Sequence, residues 1–469
     1  MKKLPTSILI LTAALAACDS GPSAPDGPDP DPGLGTIAIT WQGGTIDWGA
    51  PAPLTAAFEG GSADDVVWRS LDDLYRGLPV ILGRGASITS AALKPGTTRV
   101  EAVLVVDDVP IARDTVQVSV RYRESWNLEL EANVPYPSGT VGDVWVDGGR
   151  AHVARRSAGG ISIVSLEGGV AEVGRFTAQS LFTQDVKVAG GIAYVSHEPF
   201  HGFEAYPLSV TVVDVSDPAS PTVIGGIPVA VAPSAHNLWL DRDILTIAAA
   251  RTDFSLFDIS DPTAPRFLSR IDPDPATAHD AHVRDGLLFG SSMGFDGNRG
   301  QLTVASVADP ARPVVVGGVA FDPLTFTHSS WLSQDGRYLY VAEENVNAPI
   351  RIFDVSSPGV PRFEGAYQPR LGTVPHNFQV RDGTFAYLSH YKHGVEVVDV
   401  SDPTRPRLVG FYDTHPAADE EPSGLLPAHD KEQDSFQGAW GVHWTDDGRI
   451  VASDMNRGLF VFRFTGPQD

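Results

Sequence analysis

Residues 375–412 read PHNFQVRDGTFAYLSHYKHGVEVVDVSDPTRPRLVGFY. Apolar and polar residues alternate over Phe378–Val380, Thr384–Leu388 and Val395–Val400, and Arg407–Tyr412 supplies a fourth run. Period-two alternation marks half-buried strands. The breaks are turn chemistry: Arg381-Asp382-Gly383, Lys392-His393-Gly394 and Ser401-Asp402-Pro403. Four strands in so short a stretch predict one antiparallel sheet, which cannot bury both of its own faces.

Its neighbours are written into the chain. The phrase VDVSDP at 398–403 recurs as VDVSDP at 213–218, FDISDP at 257–262 and FDVSSP at 353–358, with a worn copy, ASVADP, at 305–310. A second proline follows each copy, at Pro221, Pro265, Pro313, Pro361 and Pro406. A spacing of roughly 45 residues belongs to propeller blades of four strands. Two weaker units open at Gly142-Asp143-Val144-Trp145 and Trp440-Gly441-Val442-His443, which predicts seven blades. The seventh has no fourth strand after Phe464, so Trp126–Val134 is expected to supply it and close the ring.

At the other end, Lys2 and Lys3 precede a short apolar run, Ile8–Ala17, that ends at Cys18, the one cysteine of the chain. This pattern reads as a secretion signal at 1–18 with a lipobox, Cys18 becoming the acylated anchor in the lipid bilayer. Residues 19–35, rich in Pro, Gly and Asp, cannot bury enough surface to order themselves and read as a disordered tether. Residues 36–122 alternate without the blade phrase. Strands are expected at Thr36–Trp41, Leu54–Phe58, Asp65–Trp68, Ser87–Leu93, Thr98–Val106 and Asp114–Tyr122, at the spacing of a β-sandwich. The propeller then occupies 123–466. The fold class expected is all-β, an Ig-like β-sandwich followed by a seven-bladed β-propeller.

The chain carries 34 basic and 58 acidic residues, a net charge of −24. Such a balance lacks the electrostatic footprint of a nucleic-acid binder, so no nucleic-acid partner is expected. A monomer in the bacterial cell envelope, outside the cytoplasm, fits the leader and the single cysteine.

From Asp143 to Phe464 the chain resembles the LVIVD-repeat β-propellers of bacterial and archaeal surface proteins, and within them the choice-of-anchor B group. The resemblance is carried by His236-Asn237, His279-Asp280, Thr327–Ser333, His376-Asn377, Tyr387–Asp399, Gly438-Ala439-Trp440 and Gly458–Val461. It implies the propeller and no agreed activity. Through Val67-Trp68-Arg69-Ser70, Leu93-Lys94-Pro95-Gly96-Thr97 and the alternating Val116, Val118 and Val120, residues 36–122 resemble bacterial Ig-like modules, which implies a spacer or an adhesion unit.

Three motif-like strings carry little. His197-Glu198-Pro199-Phe200-His201 fits a zinc-protease signature but has a proline where a helix is needed. Gly290–Gly294 fits a nucleophile elbow in the wrong fold class, and Asp296–Gly300 lacks the last carboxylate of a calcium loop.

Repeat register is the stronger signal. Superposing the units aligns His236, His279, His328 and His376 in one column, with Gln184 before and Trp440 after. The next column holds Asp143, Asp185, Asn237, Asp280, Ser329 and Asn377. The second strands return to the same face with Arg155-Arg156, His197-Glu198, Arg251, Glu343-Glu344, His390 and Asp454. One channel rim is therefore expected to gather imidazoles, carboxylates and guanidinium groups. His236, His279, His328, His376, Glu343, Glu344 and His390 are the candidate ligands of a divalent metal ion. Asp143, Arg155, Asp185, His197, Asn237, Arg251, Asp280, Asn377 and Asp454 are candidates for binding another ligand. The same residues serve equally as hydrogen-bonded fasteners between blades. No nucleophile–base pair can be placed, so a catalytic set is not assigned. The reading favours a surface module that binds an unknown protein or small molecule, with a metal-dependent enzyme at the rim as the alternative.

Overall fold

The computed structural model describes residues 35–136, 139–178, 182–198, 207–249, 252–295, 297–323, 325–381, 383–416 and 437–467. Among these the chain is all-β apart from one 3-10 turn, Ala63–Asp65, and no helix is long and apolar enough to cross a membrane. Cys18 and Arg251 lie outside the described residues.

The opening stretch forms the strands Phe378–Arg381, Phe385–Ser389, Val395–Asp399 and Arg407–Tyr412, paired antiparallel in chain order. Six further four-stranded antiparallel sheets begin their innermost strands at Val144, Val186, Asn237, Thr277, Thr327 and Ala439. Each innermost strand touches the next, and Val144–Asp147 also touches Ala439–Trp444. The sheets are therefore arranged as propeller-like blades around a common axis, with their apolar faces stacked between them.

The repeated phrase is two side-chain-capped turns in tandem. Its first aspartate ends the third strand and accepts from the residue two further on: Asp399 Oδ1 takes Ser401 N at 2.9 Å and Ser401 Oγ at 2.6 Å. Asp258 does the same with Ser260. The second aspartate repeats the device, Asp402 Oδ1 accepting from Thr404 N at 3.1 Å and Asp261 Oδ1 from Thr263 N at 3.0 Å. Such aspartate turns bond the chain where the ladder stops. The turn then presses against the preceding sheet. A Cβ at Gly174 would sit 1.5 Å from the Pro218 carbonyl oxygen, and one at Gly225 would sit 2.8 Å from that of Pro262. Glycine in the fourth strand thus sets how closely the sheets approach.

Leu128–Val134 pairs antiparallel with Gly458–Phe464 and completes the last sheet, as expected for Trp126–Val134. Ser125–Trp126 instead extends the neighbouring sheet by pairing with Tyr412 and Phe411.

Residues 36–121 form two sheets. Thr36–Thr40, Ala52–Glu59 and Ser87–Ser90 make one; Thr45–Asp47, Val109–Arg121, Gly96–Val106, Val66–Tyr75 and Leu78–Arg84 make the other. Thr45–Asp47 and Leu78–Arg84 escaped the sequence reading, the first for its length and the second because Pro79 and Gly83 break its alternation. Both sheets face one apolar core built on Trp48, Trp68, Leu54, Val100 and Leu104, which Leu408 and Phe411 of the blades join. The contact is specific. The Arg370 guanidinium lies 4.2 Å from the Trp48 ring centre and 3.9 Å from that of Phe411. Arg370 Nε donates to Glu396 Oε1 at 2.9 Å, and Leu371 N donates to the Ala92 carbonyl at 2.7 Å.

Candidate metal centre

Alternation along the innermost strands decides what faces the axis. In Asn237–Asp241, Asn237 and Trp239 face inward while Leu238 enters the apolar core. Asp143 with Trp145 and Asn377 with Gln379 follow the same rule. Histidine just before the inward polar residue breaks it, because consecutive residues should face opposite ways. The pairing itself is irregular there: register shifts fall between Ala278 and Asp280, Thr327 and Ser330, and Ala439 and Gly441. A bulge re-aims one extra side chain, and His279, His328 and Trp440 thereby join the axis. His236 and His376 reach the same level just ahead of their strands.

Three tiers result. Ring centres step from His236 to His279 by 4.2 Å, to His328 by 4.3 Å, to His376 by 4.1 Å and to Trp440 by 4.5 Å. Beneath them stand Asp143, Asp185, Asn237, Asp280, Ser329 and Asn377. Lower still, Trp145, Trp239 and Trp331 pack edge to face at 6.4 and 5.2 Å. Only about 10 Å³ of open space remains at the histidine level and about 20 Å³ below it. A ligand larger than water or an ion must therefore be met at the mouth.

The middle tier is largely occupied by fastening. Asp185 Oδ2 accepts from Leu238 N of the next sheet at 2.8 Å, and Lys187 Nζ bridges Asp185 Oδ1 at 2.5 Å and Asp143 Oδ2 at 3.0 Å. Asn237 and Asp280 accept from the amides that follow them. Asn377 Nδ2 donates to the Trp440 carbonyl at 3.3 Å. These ligand candidates lie under the rim rather than on it.

The second strands contribute by alternation too. Both residues of each pair were expected at the rim, but only the second faces it. Arg155 turns back to Ser162 (3.0 Å) and the Tyr136 ring, and His197 to Thr211 (2.9 Å). Glu343 pairs with Arg351 and accepts from Tyr75 Oη at 2.5 Å, and His390 Nδ1 meets Glu396 Oε1 at 3.2 Å. Asp454 accepts from Thr414 Oγ1 at 2.6 Å. Glu343 and His390 are thus not part of the cluster at the mouth. Arg156, Glu198, Glu344 and Tyr391 are the residues that face it. Tyr391, Arg156 and Glu198 escaped the candidate list, although their place one residue past Arg155, His197 and His390 was the available signal.

His279, His328 and Glu344 form a cluster capable of holding a divalent metal: one donor atom from each lies within 4.8 Å of the others. Glu344 Oε1 is 4.0 Å from His328 Nε2 and 3.8 Å from His376 Nε2. His279 Nδ1 donates to the His328 carbonyl at 3.2 Å and His376 Nδ1 to the Trp440 carbonyl at 2.6 Å. A carbonyl only accepts, so Nε2 of each neutral ring keeps its lone pair. His376 Nε2 and His328 Nδ1 have no hydrogen-bond partner despite burial, a state that asks for an explanation. Two imidazoles and a carboxylate suit zinc and its neighbours.

Burial, with the neighbouring imidazoles, holds His279 and His328 well below the usual imidazole range, and burial takes His376 down to about 3. Their lone pairs are free at neutral pH. Burial pushes Glu344 up to about 7. His236 differs: burial opposes its charge, but Glu198, 2.8 Å from Nδ1, raises it. Glu198 also accepts from Gln184 Nε2 at 2.8 Å, and Gln184 Oε1 accepts from Arg156 Nε at 2.9 Å.

The model of the LVIVD repeat matches residues 206–227, 234–272 and 381–414. The chain carries LVIVD repeats on a β-propeller-like fold. Among solved structures, the periplasmic gluconolactonase of Pseudomonas aeruginosa is 14% identical with a TM-score of 0.51, covering 70% of this chain and 93% of its own. Virginiamycin B lyase from Staphylococcus aureus is 9% identical with a TM-score of 0.50, covering 72% and 99%. At these identities the LVIVD chain shares their fold and nothing finer. No curated protein matches it.

Proposed function

We propose that the protein is a metal-dependent enzyme whose site is the mouth of the propeller axis, with His279, His328 and Glu344 as ligands. The carrying observation is their convergence within 4.8 Å, beside buried imidazole nitrogens that lack partners. A bound divalent ion would supply Lewis-acid chemistry there. The chain's own residues would frame the ion: Tyr391 would fix Glu344, and the rings of His376 and Trp440, tilted against each other, would wall one side. The surrounding architecture in this reading is a seven-bladed propeller with an N-terminal Ig-like sandwich. Acylated Cys18 tethers it outside the cytoplasm in the choice-of-anchor B manner. That the two structural neighbours above are named as a lactonase and a lyase agrees with an enzyme but does not choose the reaction.

Metal analysis and zinc titration of the full-length protein test the reading. One equivalent of metal is expected, with affinity lost in His328→Ala and Glu344→Gln. Absence of metal binding, or variants that bind as tightly as the wild type, overturns it. The second reading is a binding module whose histidines only fasten blades. It is favoured by the bonds from His279 and His376 to carbonyls of the next sheets, and predicts that both variants lose stability alone.

A further inference from the structure

The mouth carries a cation, Arg156, that feels Glu198 and Glu344 across a distance but pairs with neither at contact range. Arg156 stands one residue beyond the inward-turned Arg155, its guanidinium carbon 5.0 Å from the Phe182 ring centre and 5.0 Å from that of Trp440. Its Nε donates to Gln184 Oε1 at 2.9 Å. Among the described residues neither terminal nitrogen has a hydrogen-bond partner, and no carboxylate lies within 4.0 Å. Two buried guanidinium groups among the described residues are paired with carboxylates by contrast, Arg370 with Glu396 and Arg351 with Glu343.

The nearest acids are engaged elsewhere. Glu198 is held by Gln184 and His236, and Glu344 by Tyr391. The Trp440 ring is a shared wall, with Arg156 on it at 5.0 Å and the His376 imidazole 4.5 Å away. A guanidinium oriented by one hydrogen bond and two rings, with both terminal nitrogens left over, offers a planar fork. The complement of that fork is a carboxylate.

We propose that Arg156 is the anion-binding group of this mouth, and that the molecule taken up is a small carboxylate whose other end faces the His279–His328–Glu344 cluster. The two terminal nitrogens match the two oxygens of a carboxylate in a bidentate fork, with the Phe182 and Trp440 rings close beside the guanidinium. The inference rests on the metal reading, because an ion at Glu344 offsets the negative charge that would otherwise repel the incoming anion.

Two titrations of the full-length protein separate the two ideas: zinc into metal-free protein, then glycolate into zinc-loaded protein, both by calorimetry. Glycolate should bind the zinc-loaded wild type. Arg156→Met should weaken glycolate by about tenfold or more, and Arg156→Lys by less, because lysine keeps the charge without the fork. Both variants should still take up one equivalent of zinc, which also reports that they are folded. If zinc binds and glycolate does not, or if Arg156→Met binds glycolate as the wild type does, the carboxylate inference fails and the metal reading stands. If zinc does not bind the wild type, both fail together.

Discussion

Tyr391 Oη donates a 2.5 Å hydrogen bond to Glu344 Oε1 across two neighbouring sheets. The bond keeps the carboxylate beside His328 and His376, where a random rotamer would not leave it. Tyr391→Phe removes the donor at nearly constant volume. Zinc affinity is expected to fall by about 10- to 100-fold, the usual effect of losing a partner that orients a ligand. Calorimetric titration checks it, and unchanged affinity would show that Glu344 does not serve the metal.

Glu396 anchors the joint between the N-terminal sheets and the blades, accepting from Arg370 Nε and Tyr367 Oη. Burial would raise its pKa, but the His390 and Arg370 contacts and the Tyr367 bond take it down to about 2 from an ordinary 4.5. A depressed carboxylate stabilises fully above its unfolded value and loses that stabilisation as pH falls through the folded one. Glu396→Gln should therefore cost about 3–5 kcal/mol at pH 7. The gap from wild type should close between pH 4.5 and about 2. Thermal unfolding across that range measures it.

Gly174→Ala places a methyl group 1.5 Å from the Pro218 carbonyl oxygen, so the two sheets must part. Overpacking of backbone against backbone should cost about 1–3 kcal/mol. Gly190→Ala is a useful contrast, since a Cβ there meets nothing within 4 Å and only the positive φ of 60° is strained. Denaturant midpoints of the two variants should differ, with Gly174→Ala the lower.

A chain beginning near residue 138 lacks the closing strand Leu128–Val134 and exposes the edge of Gly458–Phe464. An open edge invites association. Such a chain should aggregate or melt earlier than one beginning at Arg123, as size-exclusion chromatography and thermal unfolding would show. Equal behaviour of the two would mean the seam contributes little.

Cys18→Ser should release the protein from membranes or block its maturation, because it removes the thiol that acylation requires. Membrane fractionation decides this, and a processed variant that stays with the membrane would remove the anchor.

The sheets were legible because each repeat writes its strands in period two and its turns in aspartate and proline. The tier of histidines was legible from register alone, since His236, His279, His328 and His376 align without any structure. Which second-strand residue faces the mouth was not. Arg155-Arg156, His197-Glu198 and Glu343-Glu344 are polar at both places, so composition gives no preference and only the alternation phase chooses. Tyr391 leaves no clearer mark, because His390 directly before it is also polar and only the alternation phase separates them. Contacts between distant segments, such as Trp48 over Arg370, leave no periodic trace and could not be read at all.

The last long strand of the N-terminal sheets, Val109–Arg121, is followed directly by Ser125–Trp126 and then by Leu128–Val134, the strand that seals the ring. Anything that tugs the protein from its amino-terminal side therefore loads the seal before the rest of the ring. The resistance there comes from the pairing of Leu128–Val134 with Gly458–Phe464 and from the Arg370 clamp between Trp48 and Phe411. Survival under tension depends on the rate at which a structure opens rather than on its equilibrium stability. Under such a pull, that short seam sets the working lifetime of the ring.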